Sequence, residues 1–460
     1  MRTPYRFTLL SGLGTYCALL CLAVVLFRER MLFSDMAFQS FHIIRTGDLQ
    51  VQSGRFGAVG TQFFPWVAQG LGLPLRGVLL SYSLGHVLYY FLLFAWVMLV
   101  LRQWRWGLVL LLSSVLLTTH TFFWLSEAPQ GLAFLVAVLA WMDSQTTLRS
   151  IRWWQWPLFL LAMVTAFYFH PMVLYAMTFA CVWLFFGQKD REKRKIWAAG
   201  LGLFVVLFVV KFKILPLDWY DAMSLSRAGA FVELWPHWLD IKSNRDFVEW
   251  LWRDYYLLPA VYAVSLGLLA RQRQWLLFTW TLLFPLGYIL LVNIPFHRGD
   301  NQFYLENLYL PLGLMVLLPL TQLFDTIPGR IEVIFAVIGL AILLRLGHIY
   351  STRAPWTARL HWLEQLVQQH RGPKTLINEN DLPKDLLRFT WGIPYETLLL
   401  TSLPGPDSSR LFFQTPEITP KLDSLAQQPH LFLGTFKHYR LETLPPRYFK
   451  PNPSVGYFFE

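Results

Sequence analysis

Apolar residues in this chain come in runs of about 20, each closed by a short polar or basic segment. A helix of about 20 residues rises about 30 Å, the thickness of a bilayer's hydrocarbon core. The pattern predicts about eleven membrane-crossing helices, near 8–27, 78–101, 107–124, 130–143, 157–169, 172–187, 196–216, 256–270, 275–294, 305–323 and 331–349. The pattern changes after residue 350. KTLINEN (374–380), RLFFQ (410–414) and HLFLGTF (430–436) predict short strands, and 383–390, 394–402 and 416–427 predict helices. The expected fold is an all-α polytopic membrane bundle over 1–350, followed by a small α/β domain over 351–460.

Composition supports this class. The chain of 460 residues is 55% hydrophobic, has a mean hydropathy of +0.41 and carries 15% charged residues. Soluble domains carry about 25% charged residues. Trp and Tyr gather near the ends of the runs, as in interfacial aromatic belts. The net charge of +11 does not point to nucleic acid, because Lys and Arg sit in short clusters between apolar runs. Cys17, Cys21 and Cys181 all lie within apolar runs and form neither a disulfide framework nor a zinc pattern, so they read as small buried helix residues.

The basic clusters set an orientation. Arg2 and Arg6 precede the first apolar stretch, Phe7 to Phe27, which Arg28-Glu29-Arg30 follows in place of a cleavage site. This is a retained first span with its N-terminus inside. Arg102 and Arg105, Arg149 and Arg152, KDREKRK (189–195), Arg271 and Arg273, and Arg330 are then cytoplasmic. The alternation requires two helices over 157–187, broken at His170-Pro171, where proline disfavours helix at the preceding residue. Segments 28–77, 217–255 and 295–304 face the other side, as does 351–460.

The segment 28–77 carries the clearest chemistry. Apolar residues recur at helical spacing from Phe33 to Ile44 and again over 62–71, which predicts two helices lying in the interface. Asp35 falls just past the first span. A carboxylate beside low-dielectric lipid has a raised pKa and suits a general base. The structural alternative is a salt bridge with Arg28, Arg30 or Arg45, or a helix cap.

A span followed by a long outer loop with an early acidic residue and interface helices resembles the GT-C class of membrane glycosyltransferases. Many spans, short cytoplasmic loops and a C-terminal extracytoplasmic domain extend the likeness over most of the chain. Members take a sugar from a polyprenyl phosphate or pyrophosphate carrier and pass it to an acceptor on the outer face. The resemblance implies that Asp35 in FSDMAF is the catalytic base. Many members carry paired carboxylates there; this chain has Asp35 alone, with Asp48 thirteen residues on. The class often uses a second acidic residue in the next outer loop, which Glu127 in THTFFWLSEAPQG (119–131) matches. Glu127 would orient the acceptor or hold a divalent cation (Mg or Mn); the structural alternative is that Ser126 or Glu127 caps the helix starting near Pro129.

Other candidates lie on the same side. Arg298, with Arg45 and Arg55 as competitors, is a cation for the donor phosphate. His170 is a phosphate or proton partner. In NIPFHRGDNQFYLEN (293–307), His297, Asp300, Tyr304 and Glu306 are candidates for acceptor binding or support, alongside Asp48; Arg298 could instead pair with Asp300. The aromatic loop 217–255, with Trp219, Trp235, Trp238, Trp250, Trp252, Asp218, Asp221 and Asp240, suits interface anchoring or sugar stacking.

Other classes lack their signatures. There is no P-loop, dinucleotide fingerprint, HExxH, DxD or serine-nucleophile elbow. The expected activity is transfer of a sugar from a polyprenyl-linked donor to a glycan, lipid or protein acceptor at a bacterial inner membrane. The alternatives are a transporter or flippase, a polysaccharide polymerase or ligase, and a non-catalytic envelope scaffold.

Overall fold

The computed structural model describes residues 2–51, 54–216 and 219–459, so Asp218 lies outside the described residues. The first span is α1 (Arg2–Val25), and the short α2 (Phe27–Met31) follows it. Helices α3 (Ser34–Thr46) and α4 (Val59–Gly70) form where apolar spacing predicts them. Next come α5 (Leu75–Ala95), α6 (Trp104–Ser113), α7 (Glu127–Ser144), α8 (Gln155–Phe169), α9 (Val173–Gly187) and α10 (Arg191–Val209). Helices α5 and α10 each end in a π-helical turn, over Trp96–Val100 and Val210–Ile214. The aromatic loop folds as α11 (Trp219–Ser226), α12 (Ala230–Glu233) and α13 (Lys242–Arg253). The bundle closes with α14 (Leu257–Arg271), α15 (Trp275–Asn293), α16 (Gln302–Tyr309), α17 (Pro311–Gln322) and α18 (Ile331–Ser351).

Six helical stretches among the described residues are long and apolar enough to cross a membrane: Thr3–Val25, Leu75–Val100, Arg191–Ile214, Trp275–Phe296, Gln302–Gln322 and Ile331–Gln369. The other five expected spans correspond to the shorter helices α6, α7, α8, α9 and α14. The expected span 107–124 is the clearest departure, because α6 has 10 residues and stops at Ser113. The sequence beyond it, Ser114-Val-Leu-Leu-Thr-Thr-His-Thr121, is rich in β-branched residues and serine or threonine, which favour helix least among uncharged side chains other than Gly and Pro. The predicted break at His170 is present: α8 stops at Phe169, His170 is extended, and α9 starts at Val173.

Ion pairs show which loops share an end. Arg105 pairs with Asp325, Lys193 with Asp143, and Gln272 donates to Thr326. These contacts gather the basic loops at one end of the bundle. Leu92, Leu161, Val206, Leu283 and Leu343 point outward from its sides, as lipid-facing residues do. Cys181 is buried, but Cys17 and Cys21 are exposed on the outer face of α1 instead of packing inside.

At the opposite end, α18 leads into α19 (Ala354–Gln369) and the α/β segment. Its elements are β1 (Lys374–Asn378), α20 (Lys384–Leu387), α21 (Ile393–Ser402), β2 (Leu411–Thr415), α22 (Pro420–Ala426), β3 (Leu431–Phe432), β4 (Tyr439–Arg440) and β5 (Phe458–Phe459). Strand β1 lies between β2 and β5, parallel to both, and β3 pairs antiparallel with β4. The strands and helices predicted here all have counterparts, most of them shorter than expected.

The core of this segment is shared with the loop after α1. Met31, Met36, Phe41 and Tyr82 belong to one buried cluster with Leu363, Tyr395, Leu399 and Phe432. The apolar face of helix α3 is therefore covered by protein and not left for lipid. It is packed under α21, with Met36, Ala37, Phe41, Ile43 and Ile44 buried. Helix α4 keeps exposed apolar groups, Phe63 and Trp66, as an interfacial helix would.

A chain ending at Ser351 would uncover Phe41 and its neighbours. The expected outcome of deleting 352–460 is aggregation in mild detergent, read by size-exclusion chromatography. A monodisperse truncated bundle would show that the 27–82 region is stable without its partner.

Candidate functional site

Where α6 stops early, a stretch of buried irregular backbone must find partners, since each unpaired buried amide costs about 1–3 kcal/mol. Three charged side chains supply them. Glu306, fully buried in α16, accepts the backbone N–H groups of Thr119 (2.8 Å), His120 (3.2 Å) and Thr121 (2.8 Å). It also accepts the hydroxyls of Thr121 (2.7 Å) and Tyr255 (3.0 Å). Arg345 of α18 donates to the carbonyls of Val115 (2.9 Å) and Thr118 (3.0 Å), and Arg30 of α2 to that of Phe122 (2.9 Å). Both arginines are buried. The strap so fixed, residues 114–126, delivers Trp124 and ends at Ser126, whose hydroxyl accepts the Ala128 N–H at 3.4 Å. Ser126 is therefore the cap of α7, and Glu127 is left to project.

The turn before α3 is held from the C-terminal segment. Ser34 has φ +28°, an unfavourable value for an L-residue. Its N–H donates to Glu396 Oε1 at 2.6 Å, so a carboxylate from α21 satisfies the start of α3. Arg359 of α19 pairs with Glu396, donates to the Leu32 carbonyl at 3.0 Å and lies 4.6 Å over the Phe33 ring. Asp35 is the next residue along.

Between strap and turn lies a cleft of about 700 Å³ lined by Asp35, Gln39, Arg55, Glu127 and His170 among others. Asp35 Oδ2 accepts the indole N–H of Trp124 at 2.8 Å. Burial pushes the Asp35 carboxyl up to about 6; Glu127 adds to the rise, while the Trp124 hydrogen bond and Arg55 oppose it. Arg55 faces Glu127 at 3.7 Å. Gln39 also points its amide at Glu127, at 3.5 Å, because Tyr82 (2.7 Å) and Gln62 (3.2 Å) both donate to its carbonyl. The Met172 N–H meets His170 Nδ1 at 3.2 Å, so a neutral ring carries its proton on Nε2. Burial pushes His170 well below the usual histidine value, and Arg55 and Lys211 push the same way. The rest of the wall includes aromatic rings: Phe38, Trp124, Trp219, Tyr304, Phe389, Trp391 and Phe436.

No family model, curated protein or solved structure matches this chain. The site is therefore read from its own chemistry.

Of the sequence candidates, the fold brings Asp35, Arg55, Glu127, His170, Trp219 and Tyr304 to one cleft. Glu306 is fully enclosed behind that wall and serves the strap. The others lie elsewhere. Arg298 and Asp300 are exposed, and His297 is part of the same loop. Asp300 accepts the Asn301 N–H at 2.7 Å. Asp48 is exposed just past the end of α3, and Arg45 lies 4.8 Å over the Tyr439 ring. Gln39, Trp124, Asn307, Trp391 and Phe436 were not singled out from the sequence, yet they line the cleft. Gln39 and Trp124 adjoin named candidates in the chain; Trp391 and Phe436 had no local signal. Among the described residues no three His, Cys, Asp or Glu side chains converge as metal ligands. Among the described residues, Asp35 and Glu127 are the carboxylates that line the cleft, and Glu127 is opposite Arg55.

Two outcomes follow. Glu306→Ala leaves three N–H groups without an acceptor, and breaking such a buried charged network costs roughly 3–5 kcal/mol; thermal unfolding in detergent will show a correspondingly lower Tm. Asp35→Asn acts in the opposite sense. The folded-state value of about 6 exceeds the usual aspartate value of 3.8, so ionised Asp35 opposes folding at neutral pH. The variant is expected to be more stable at pH 7.5, by on the order of 3 kcal/mol. Its advantage disappears as pH falls through 6 towards 4. A pH-independent difference would show that Asp35 ionises normally.

Proposed function

We propose that this protein is a membrane glycosyltransferase that moves a sugar from a polyprenyl-phosphate carrier to an acceptor hydroxyl. The observation that carries the reading is the Asp35 carboxylate: raised to about 6, held by an indole N–H, and set in the wall of a cleft large enough for a sugar. A base with a value near 6 is mostly ionised at neutral pH and still a useful proton acceptor.

In this mechanism Asp35 takes the acceptor hydroxyl proton as the oxygen attacks the anomeric carbon. The bond from that carbon to the phosphate oxygen breaks, and polyprenyl phosphate leaves with the electron pair. A single displacement inverts the anomeric configuration. Glu127, flanked by Arg55 and Gln39, orients the acceptor. Arg55 and the His170 Nε2–H are the donors facing the cleft that stabilise developing negative charge. Aromatic rings pack against the apolar faces of the sugars. The proposed setting is a bacterial inner membrane, with the cleft and the C-terminal segment on its outer side, as the basic loops at the opposite end support.

Purified protein in lipid nanodiscs would be supplied with a panel of polyprenyl-linked sugars and envelope extract. Release of polyprenyl phosphate is the readout. Asp35→Asn should lower turnover by roughly 10²–10⁴-fold, while Arg298→Ala should leave it within about twofold, the scale of a surface substitution. The wild-type rate should rise with pH to a plateau above about 6, as Asp35 ionises. Equal turnover by Asp35→Asn sinks the assigned base. No turnover by well-folded wild type favours transport or a scaffold role.

A further inference from the structure

Arg30 clamps the strap from α2, but the fold gives its charge no counterpart. The residue is 1% exposed. Its Nε donates to the Phe122 carbonyl at 2.9 Å, and its Nη1 to the Ser83 carbonyl (3.0 Å) and hydroxyl (2.9 Å). All of these acceptors are neutral. Among the described residues no carboxylate pairs with Arg30, and its Nη2 donates to nothing. Other buried guanidinium groups differ: Arg359 pairs with Glu396, and the charge of Glu306 is felt at Arg345. A buried charge without a counter-charge is costly.

Arg30 lines a chamber of about 60 Å³ between α1, α5, α6 and the strap. Other side chains on its wall have donors to spare. His86, also 1% exposed, has no partner at Nε2. The Gln130 amide nitrogen donates to the Ser126 carbonyl at 3.0 Å and reaches His86 Nδ1 at 3.5 Å. The neutral His86 ring therefore carries its proton on Nε2. Ser113 Oγ is buried and has no partner either. The Tyr90 hydroxyl makes no hydrogen bond among the described residues. The charge of Arg30 is felt at both His86 and Tyr90, so these groups stand close together. No Asp or Glu lines the chamber.

We infer that this chamber binds a small inorganic anion of halide size, held by Arg30 with the His86 Nε2–H and the hydroxyls of Ser113 and Tyr90. Four donors, one of them charged, surround a space with no competing negative group, which excludes a cation. About 10–15 Å³ of such space takes one water, so the chamber has room for one small ion and a few waters. Pockets for larger organic ligands begin near about 300 Å³, so neither a sugar nor a lipid phosphate fits. The chamber is distinct from the cleft, with Leu125 and Ser126 lining both. The anion acts on the cleft through the strap. It balances Arg30, Arg30 holds the Phe122 carbonyl, and two residues on Trp124 holds Asp35. The site does not depend on the transfer reading above.

The test follows thermal unfolding of the full chain in nanodiscs while sodium chloride replaces sodium gluconate at constant ionic strength. Trp emission gives the Tm, and the excess line width of the chloride NMR signal reports binding directly. The wild-type Tm should rise saturably with chloride, by a few degrees at about 100 times the midpoint concentration. Bromide should replace chloride in this effect. Arg30→Met should remove both the chloride dependence and the excess line width. Ser113→Ala loses no hydrogen bond that the fold makes, so it tests the site in an intact protein. Its chloride midpoint should rise by about three- to tenfold, the loss expected for one hydrogen bond. Equal Tm in chloride and gluconate throughout, with no excess line width, overturns the site. A chloride midpoint that is the same in Ser113→Ala and wild type is a general salt effect and also overturns it, as does an unchanged chloride dependence in folded Arg30→Met. Should Arg30→Met not fold in either salt, the Ser113→Ala midpoint decides alone.

Discussion

Buried backbone that is neither helix nor strand needs a partner for each polar group, and this requirement shapes the working end of the molecule. Two such stretches occur there: the strap between α6 and α7, and the turn into α3. Both are held by charged side chains from elements far away in the chain. Glu306, Arg345 and Arg30 hold the strap; Arg359 and Glu396 hold the turn. A neutral side chain in any of these places would satisfy fewer groups. An isolated charge would be too costly to bury. Each carboxylate and each guanidinium is used because several donors or acceptors converge on it.

The cleft inherits its geometry from these clamps. Trp124 stands on the strap and Asp35 follows the turn, and their hydrogen bond at 2.8 Å joins the two. The C-terminal segment thereby becomes part of the cleft. It contributes Glu396 behind Asp35 and Phe389, Trp391 and Phe436 in the wall. Its core is continuous with α3, so movement of this segment would alter the setting of Asp35 directly.

Much of this was legible in the chain. Run lengths mark the bundle, the His170-Pro171 pair marks the break between α8 and α9, and the runs KTLINEN and RLFFQ mark the strands near 374 and 411. Asp35, Glu127 and His170 could be named because each lies beside the end of an apolar run, and run ends on one side of a bundle must meet. Arg298 has the same local signal and yet lies outside the cleft, since a hydropathy pattern gives the end of the bundle but not the angle around it. The strap was hidden for a different reason. Residues 107–124 are mostly apolar and contain no Asp, Glu, Lys or Arg, and helix and buried irregular backbone read alike when the stabilising partner is a carboxylate 185 or more residues away.

Glu306 shows how far the price of burial can guide interpretation. An ionisable residue at the edge of an apolar run is expensive, which makes it conspicuous and invites a catalytic role. Its five donors show that the carboxyl organises backbone, with both oxygens engaged. Asp35 differs in the one respect that matters. It accepts a single indole N–H, is open to the cleft and is destabilised as an anion. A buried carboxyl whose oxygens are filled by donors has no acceptor capacity left for a substrate. One with few donors and a low-dielectric wall is ready to take a proton. The distinction between the two acids is therefore one of unsatisfied acceptor capacity, which depends on contacts across the fold and has no counterpart in local sequence.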